Sequence, residues 1–358
     1  MSPSELSGEE HPLSKSPQSG DLAERRSPPR ELEVPAEFAG GRLDRVLATL
    51  LGVSRRHVRQ LLARGAISLN RRAAQLENKG DPVAAGDRLR VVEIRPPALA
   101  QVIPQPDLPL SVLASGPGWL AVDKPAGMAV HPLHEGETGT VLNALAARQP
   151  EVQGVGEAGL RSGVVHRLDV DTSGVLLLAT NARVWGRLRG AFREHRVEKV
   201  YRAIVWGEFT DNLEMEVGLA VAQHRPARVR VVAEQTQLAE AGAGVWRVQQ
   251  RVRPIEVLTG ATLVEVRPRT GFLHQVRATL AHLGHPIVGD ATYGGRLEPG
   301  DVGLAEAGPG RDGMRAERHM LHAAVASVDE ISAEAPDPAD FAAVLDWFRG
   351  AAGSSATR

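Results

Sequence analysis

The sequence predicts an α+β fold in two parts. A small basic α/β module comes first, and a larger domain built on a mixed or antiparallel sheet follows. Three observations carry this prediction. Charge is concentrated near one end: eleven basic residues stand against five acidic ones between Gly41 and Glu93, about +6, in a chain of net charge −1. A proline-spaced stretch, residues 95–110, then separates that module from the rest. Beyond it, short apolar runs and helical patterns alternate irregularly, unlike the regular strand–helix repeat of a doubly wound fold.

The elements follow in order. Residues 1–36 are rich in Ser, Pro and Glu and poor in aromatics, so they are expected to be a disordered tail. Residues 37–94 form the small module. Leu43, Val46, Leu47 and Leu50 recur at helical spacing, and Gly52 ends that helix. Ser54 is placed to cap a second helix whose apolar face is Val58, Leu61 and Leu62. Its other face carries Arg55, Arg56 and Arg59, and Gly65 closes it. Strands are expected around Ile67–Leu69 and Arg88–Val92, with Gly86-Asp87 as a turn. Residues 95–110 read as a linker. In residues 111–350, strands are expected at Leu120–Val122, Val175–Leu178, Tyr201–Val205 and Leu263–Arg267. Helices are expected near Val141–Arg148, Val184–Phe192 and Leu273–Leu283. Residues 298–312 are Gly/Pro-rich and look like a loop insertion. Asp340–Arg349 suits a closing helix, and residues 351–358 are expected to fray.

Composition removes several classes of chemistry. The 358 residues include no cysteine. Disulfides, iron–sulfur clusters, thiolate zinc sites and a cysteine nucleophile are therefore excluded. The first thirty residues lack the apolar centre of a secretory signal. No apolar stretch has the length that spans a bilayer. The expectation is a soluble cytoplasmic protein, with a monomer as the default state. A basic module on a neutral body points to a polyanionic partner.

One segment concentrates the chemistry: Val165-His166-Arg167-Leu168-Asp169-Val170-Asp171-Thr172-Ser173-Gly174, followed by the apolar run Val175–Ala179. A carboxylate in a turn before a buried strand lies at a sheet edge, within reach of a substrate. Three readings compete on these residues alone. His166 and Asp169 could begin a metal site with His274, His282 or His285, although the spacing is no known zinc pattern. Asp169 and Asp171 could act as an acid–base pair. Asp169 could simply cap its turn.

Other segments bear on the choice. Arg42-Leu43-Asp44-Arg45, Ser54-Arg55-Arg56 and Gly65-Ala66-Ile67-Ser68-Leu69-Asn70 resemble the S4-type RNA-binding module. In that resemblance Arg55, Arg56, Arg59, Arg71 and Arg72 contact RNA by charge and shape, since no aromatic platform stands among them. The Asp169 segment resembles the RluA-type pseudouridine synthases, and four further stretches fit the same family in the same order. These are Val122-Asp123-Lys124-Pro125-Ala126-Gly127, Glu198-Lys199-Val200-Tyr201-Arg202-Ala203, Thr270-Gly271-Phe272-Leu273-His274-Gln275-Val276-Arg277 continuing through Gly289-Asp290, and Arg318-His319-Met320-Leu321-His322-Ala323. Together the two resemblances span residues 41–349.

The family resemblance implies an isomerase that turns uridine in RNA into pseudouridine. It makes Asp169 the catalytic aspartate, Tyr201 the residue that packs on the flipped uracil and helps remove the C5 proton, and Arg277 the partner of Asp169. Arg167 would help displace the target base. An arginine can hold a carboxylate through two parallel hydrogen bonds. A base must leave its stack to be reached, at a cost of a few kcal/mol. The isomerisation changes neither redox state nor energy carrier, so no cofactor and no metal are expected. RNA is the expected partner: large-subunit (23S) ribosomal RNA first, transfer RNA second. Phe272 and Leu273 depart from the family pattern, where an Arg and a Thr are common. A non-catalytic ribosome-assembly factor and a histidine-based metallohydrolase are the competing classes.

Overall fold

In the computed structural model, the described residues are 29–353, except 64, 93–99, 158, 225, 240, 243 and 295–315. The chain divides into two units, Met1–Pro96 and Pro97–Arg358. The expected insertion at 298–312 lies outside the described residues, as do 1–28 and 354–358 of the expected tails at 1–36 and 351–358; residues 351–353, expected to fray, are instead the last residues of a helix.

In the first unit, Leu43, Val46, Leu47 and Leu51 form the buried face of α1 (Leu43–Leu51), which Gly52 ends at φ 66°. In α2 (Arg55–Ala63) the buried residues are Val58, Leu61 and Leu62, and the Ser54 hydroxyl accepts from His57 N–H at 3.2 Å. These faces close on a four-stranded sheet of β1 (Arg30–Glu33), β2 (Ile67–Leu69), β3 (Arg72–Ala74) and β4 (Arg88–Val91), in the order β1-β4-β2-β3. One expectation needs correction here. The tail was expected to reach residue 36, yet Arg30–Glu33 pairs antiparallel with β4, Leu32 opposite Leu89. Val34 beyond it is only 1% exposed. Two apolar residues in a polar stretch suffice for an edge strand, because its other face stays in water.

Among the described residues, the second unit is built on ten strands: β5 (Ser111–Gly116), β6 (Trp119–Lys124), β7 (Ser173–Ala179), β8 (Glu198–Trp206), β9 (Leu213–His224), β10 (Ala227–Glu234), β11 (Trp246–Val257), β12 (Ala261–Pro268), β13 (Leu321–Val328) and β14 (Ile331–Glu334). Their order is β10-β9-β11-β12-β8-β13-β7-β6-β5, with β14 beside β13. All pairings are antiparallel except β13–β7, which is parallel. The sheet is therefore mixed, as the sequence implies.

The helices explain why β7 is apolar throughout. Leu176 and Leu178 pack with Leu142 and Leu145 of α3 (Val141–Arg148). Val175 and Leu177 face the other way, against Leu188 and Ala191 of α4 (Ala182–Arg193). A strand covered on both faces reads as a continuous apolar run rather than an alternation. At the other end of the sheet, α5 (Gln275–His282) and α6 (Ala339–Gly353) cover β8 and β12 through Leu280, Phe341, Leu345 and Phe348. The expected linker is a second correction. Val102 is buried against Leu120 and Leu142, and Gln153 binds both its N–H and its carbonyl. Residues 100–110 thus belong to the larger unit.

Candidate active site

Asp169 lies in the loop that enters β7, and several groups fix that loop. Thr172 N–H closes a turn on the Asp169 carbonyl at 3.2 Å. Lys124, at the end of β6, is fully buried. Its ammonium donates to the carbonyls of Pro125, Met128 and Val170 at 2.8, 2.7 and 2.7 Å. Burial lowers Lys124 to about 7, against the opposing charge of Asp171. Arg318 donates to the Asp171 carbonyl at 3.0 Å, and the Thr172 hydroxyl meets His319 Nε2 at 2.8 Å. Gly174 is required here: at φ 109°, a Cβ would lie 2.2 Å from the Ala323 carbonyl of β13. Only glycine lets the two strands approach this closely.

The loop opens on a cavity of about 680 Å³ lined by Arg167, Asp169, Tyr201, Phe272, His274 and Arg277 among others. The structure therefore brings together the four residues that the resemblance selects. Arg277 Nη1 donates to Asp169 Oδ2 at 3.2 Å. The expected two-bond fork on Asp169 is not what forms. Arg277 gives its fork to Asp290 instead, Nε to Oδ2 at 2.7 Å and Nη2 to Oδ1 at 2.9 Å. Asp290 also accepts from the backbone N–H groups of Thr292 and Tyr293. Burial opposes the Asp290 charge, and the Arg277 hydrogen bonds outweigh it, holding the carboxyl below its ordinary value. Arg277 is thus locked in place and spends one N–H on Asp169.

Tyr201 stands on β8. Burial, and then the charge of Asp169, push its hydroxyl well above the ordinary value. It stays protonated at neutral pH, so a phenolate base is disfavoured and a packing surface is left. His274 precedes α5 at φ 51°. Its Nδ1 contacts the Tyr293 hydroxyl at 3.1 Å, and that hydroxyl already accepts from Val229 N–H. His274 Nε2 lies 3.8 Å from Asp169 Oδ2. Burial lowers His274 below its ordinary value.

The remaining wall is cationic. Arg161, Arg167, Arg189, Arg193 and Lys199 line it, and Lys199 donates to the Thr270 carbonyl at 2.7 Å. His166 turns away from a metal role: its Nε2 accepts from Leu177 N–H at 2.9 Å. Burial lowers it to about 3. Among the described residues, no group of three His, Asp or Glu is arranged to hold a metal ion.

Sequence reasoning did not assign Asp290, Lys124 or Lys199 to the site, and it raised His274 only as a metal ligand. Asp290 had a signal, an acid within the Gly289-Asp290 step following the Arg277 helix. At Gly289, φ is 82° and a Cβ would lie 2.0 Å from the Arg318 carbonyl. In the first unit, Arg55 and Arg59 do not stand free. With Arg42 they converge on the buried carboxylate of Asp44, at 3.1–3.2 Å. Arg56, Arg71 and Arg72 are exposed. Arg71 follows Asn70 in a left-handed hairpin turn, φ 67° and 48°.

Comparison with known proteins settles the family. The model of the RNA pseudouridylate synthase family matches residues 118–282. A protein of Xylella fastidiosa, ribosomal large subunit pseudouridine synthase D, is 34% identical over 270 residues, 75% of this chain and 76% of that protein. The chain belongs to the RluA-type RNA pseudouridine synthases. Its relative of the same name in Nitrosomonas europaea is 32% identical over 341 residues, 92% of this chain and 90% of that protein. Among solved structures, human RNA pseudouridylate synthase domain containing 4 shares the fold at TM-score 0.50 and 19% identity, over 67% of this chain and 93% of that one. The chain is thus an isomerase that converts uridine in RNA to pseudouridine.

Proposed function

We propose that this pseudouridine synthase acts on large-subunit ribosomal RNA, and that Asp169 is the carboxylate that carries the reaction. The observation behind the second part is the Asp290–Arg277–Asp169 chain: an arginine locked by a two-bond fork on Asp290 gives a further N–H to a carboxylate that faces a cavity. The substrate class rests on the two relatives described above, both named as large-subunit ribosomal RNA enzymes.

In this reading the C1′–N1 bond breaks, the uracil turns, and C1′–C5 forms. C5 releases its proton to solvent, and N1, which carries none in uridine, gains one, so the isomerisation balances. Asp169 attacks the sugar or the ring, or takes a sugar proton. Arg277 holds it in position. Tyr201, protonated, packs on the extruded base, and Arg167 on the cationic wall helps to hold the nucleotide out of its stack. Arg55, Arg56, Arg59, Arg71 and Arg72 of the first unit engage phosphates, as in an S4-type module. The balanced isomerisation calls for no cofactor. The protein works in the cytoplasm, as a monomer.

The test is tritium release from transcripts labelled at uridine C5, with ribosomal and transfer RNA side by side. Release from large-subunit RNA by the wild type, and none by Asp169→Asn, is expected. Release from transfer RNA alone would move the substrate class. Full turnover by Asp169→Asn would remove the aspartate from the chemistry.

A further inference from the structure

Phe272, where the sequence departs from the family pattern, lines the cavity and joins it to an apolar face of β9 and β11. Val248 and Trp246 lie opposite Val217 and Leu219 of β9 in register, so all four project from one face of the sheet. Val217, Leu219 and Val248 are buried there with Ala278 of α5. Trp246 continues the same file into solvent. It is 47% exposed, the one aromatic side chain among the exposed large apolar residues described.

Phe272 explains why Trp246 is ordered. Its ring packs on the buried cluster of β9 and β11 and also lines the cavity that holds Asp169. Trp246 stacks on it with ring centroids 4.8 Å apart and planes 25° from parallel. The Phe272 backbone is tied down as well, its N–H donating to Gln275 Oε1 at 3.2 Å, and Gln275 is buried. The result is a rigid two-ring stack with Trp246 outermost.

We propose that Trp246, backed by Phe272, is a stacking platform for an unpaired RNA base adjacent to the uridine in the cavity. The inference rests on the isomerase reading of that cavity. Every base offers a flat face, and bases freed from a helix are held on aromatic rings. The surroundings suit a polyanion. Arg167, Arg189 and Arg193 line the cavity. A single exposed ring is too small for a stable protein interface. A pre-stacked ring also loses little freedom on binding, so most of the stacking energy is realised.

The experiment uses the full-length protein and a ribosomal RNA hairpin from which the wild type releases tritium, which tests the isomerase reading by itself. Hairpins with an abasic site immediately 5′ or 3′ of the target uridine complete a cycle with Trp246→Leu. Trp246→Leu is expected to weaken binding about tenfold, read as a rise in KM. One of the two abasic hairpins should weaken wild-type binding similarly and weaken Trp246→Leu no further. Trp246→Tyr, which keeps a flat ring, should recover most of the loss. Equal binding by Trp246→Leu and wild type overturns the platform while the isomerase stands. So do penalties that simply add, because independent effects mean that ring and base do not touch.

Discussion

Asp44 and Asp169 both meet arginine, and they are used in opposite ways. Asp44 in the first unit is fully covered and outnumbered, with Arg42, Arg55 and Arg59 all bonded to it. The covering is the arginines themselves, each nearly half exposed, rather than a deep core. Burial opposes the Asp44 charge, and the three arginines prevail, holding it at about 2. Asp169 in the second unit is a quarter exposed and receives one arginine N–H, from a residue already committed to Asp290. A carboxylate covered on every side by arginines is a fastener. One with a single fixed bond and an open side is available to a substrate. The arginine count around an acid does not mark a reactive site; the open side does.

The sharpest way to break this contrast is to remove each charge in turn. Asp169→Asn should reduce tritium release by about a thousandfold or more, the scale of an essential reacting group. Its melting temperature should stay within a few degrees of the wild type, since a partly exposed carboxylate with one hydrogen bond is all that changes. Asp290→Asn should do the reverse in kind. It removes the buried charge that holds the guanidinium fork and leaves only the partly exposed Asp169 to balance Arg277, which costs about 2–3 kcal/mol of stability. Chemical denaturation measures that loss. Activity should fall too, because Arg277 no longer holds Asp169 from a fixed place. An Asp290→Asn protein as stable as the wild type would show that Arg277 is not locked by this pair.

Acid should act on the second unit through its buried histidines. His319, bonded to Thr172, is lowered to about 4 by burial, and then by Arg277. His166, accepting from Leu177 N–H, is lowered to about 3. The unfolded chain takes up these protons near pH 6.5, the folded one only well below. Between those values the unfolded state binds more protons, so stability falls as pH drops from about 6.5 to 4. The loss from His319 alone is on the order of 2–3 kcal/mol. Denaturation midpoints at pH 7.5 and 5 check this, and His319→Gln should flatten the slope.

The same contrast explains what was legible in the sequence. The Asp169 loop could be placed because its neighbours announce it: turn residues, then a run apolar enough to be covered on both faces. Its partners Tyr201 and Arg277 came from the family resemblance, not from spacing, since they lie on a distant strand and helix. Asp290 was missed because a lock between a helix and the following loop leaves no local periodicity. The triad on Asp44 was missed for a related reason. Arg55 and Arg59 were assigned to the solvent face of α2, which is right for that helix alone, but the acid they meet projects from α1. Among the strands, β9 to β11 were not anticipated as a unit. Their outward residues pair in charge between β9 and β11, Arg247 with Glu216 and Arg251 with Glu214. That pattern looks polar along each segment, and only pairing shows it to be one face of a sheet.

Asp44→Asn gives the smallest expected effect and sharpens the comparison most. Stability of the first unit should fall by only about 1–2 kcal/mol, because the three released arginines turn into water that already reaches them. Phosphate binding should respond in the opposite sense. With the carboxylate neutral, the cluster gains one net positive charge, and nonspecific RNA affinity at low salt should rise a few-fold with a steeper salt dependence. If the arginines are instead useful because Asp44 holds them in one array, affinity falls despite the added charge. Filter binding across a salt series separates the two outcomes. A rise identifies Asp44 as a brake on a generic basic patch; a fall makes it the frame on which the RNA-facing side of α2 is built.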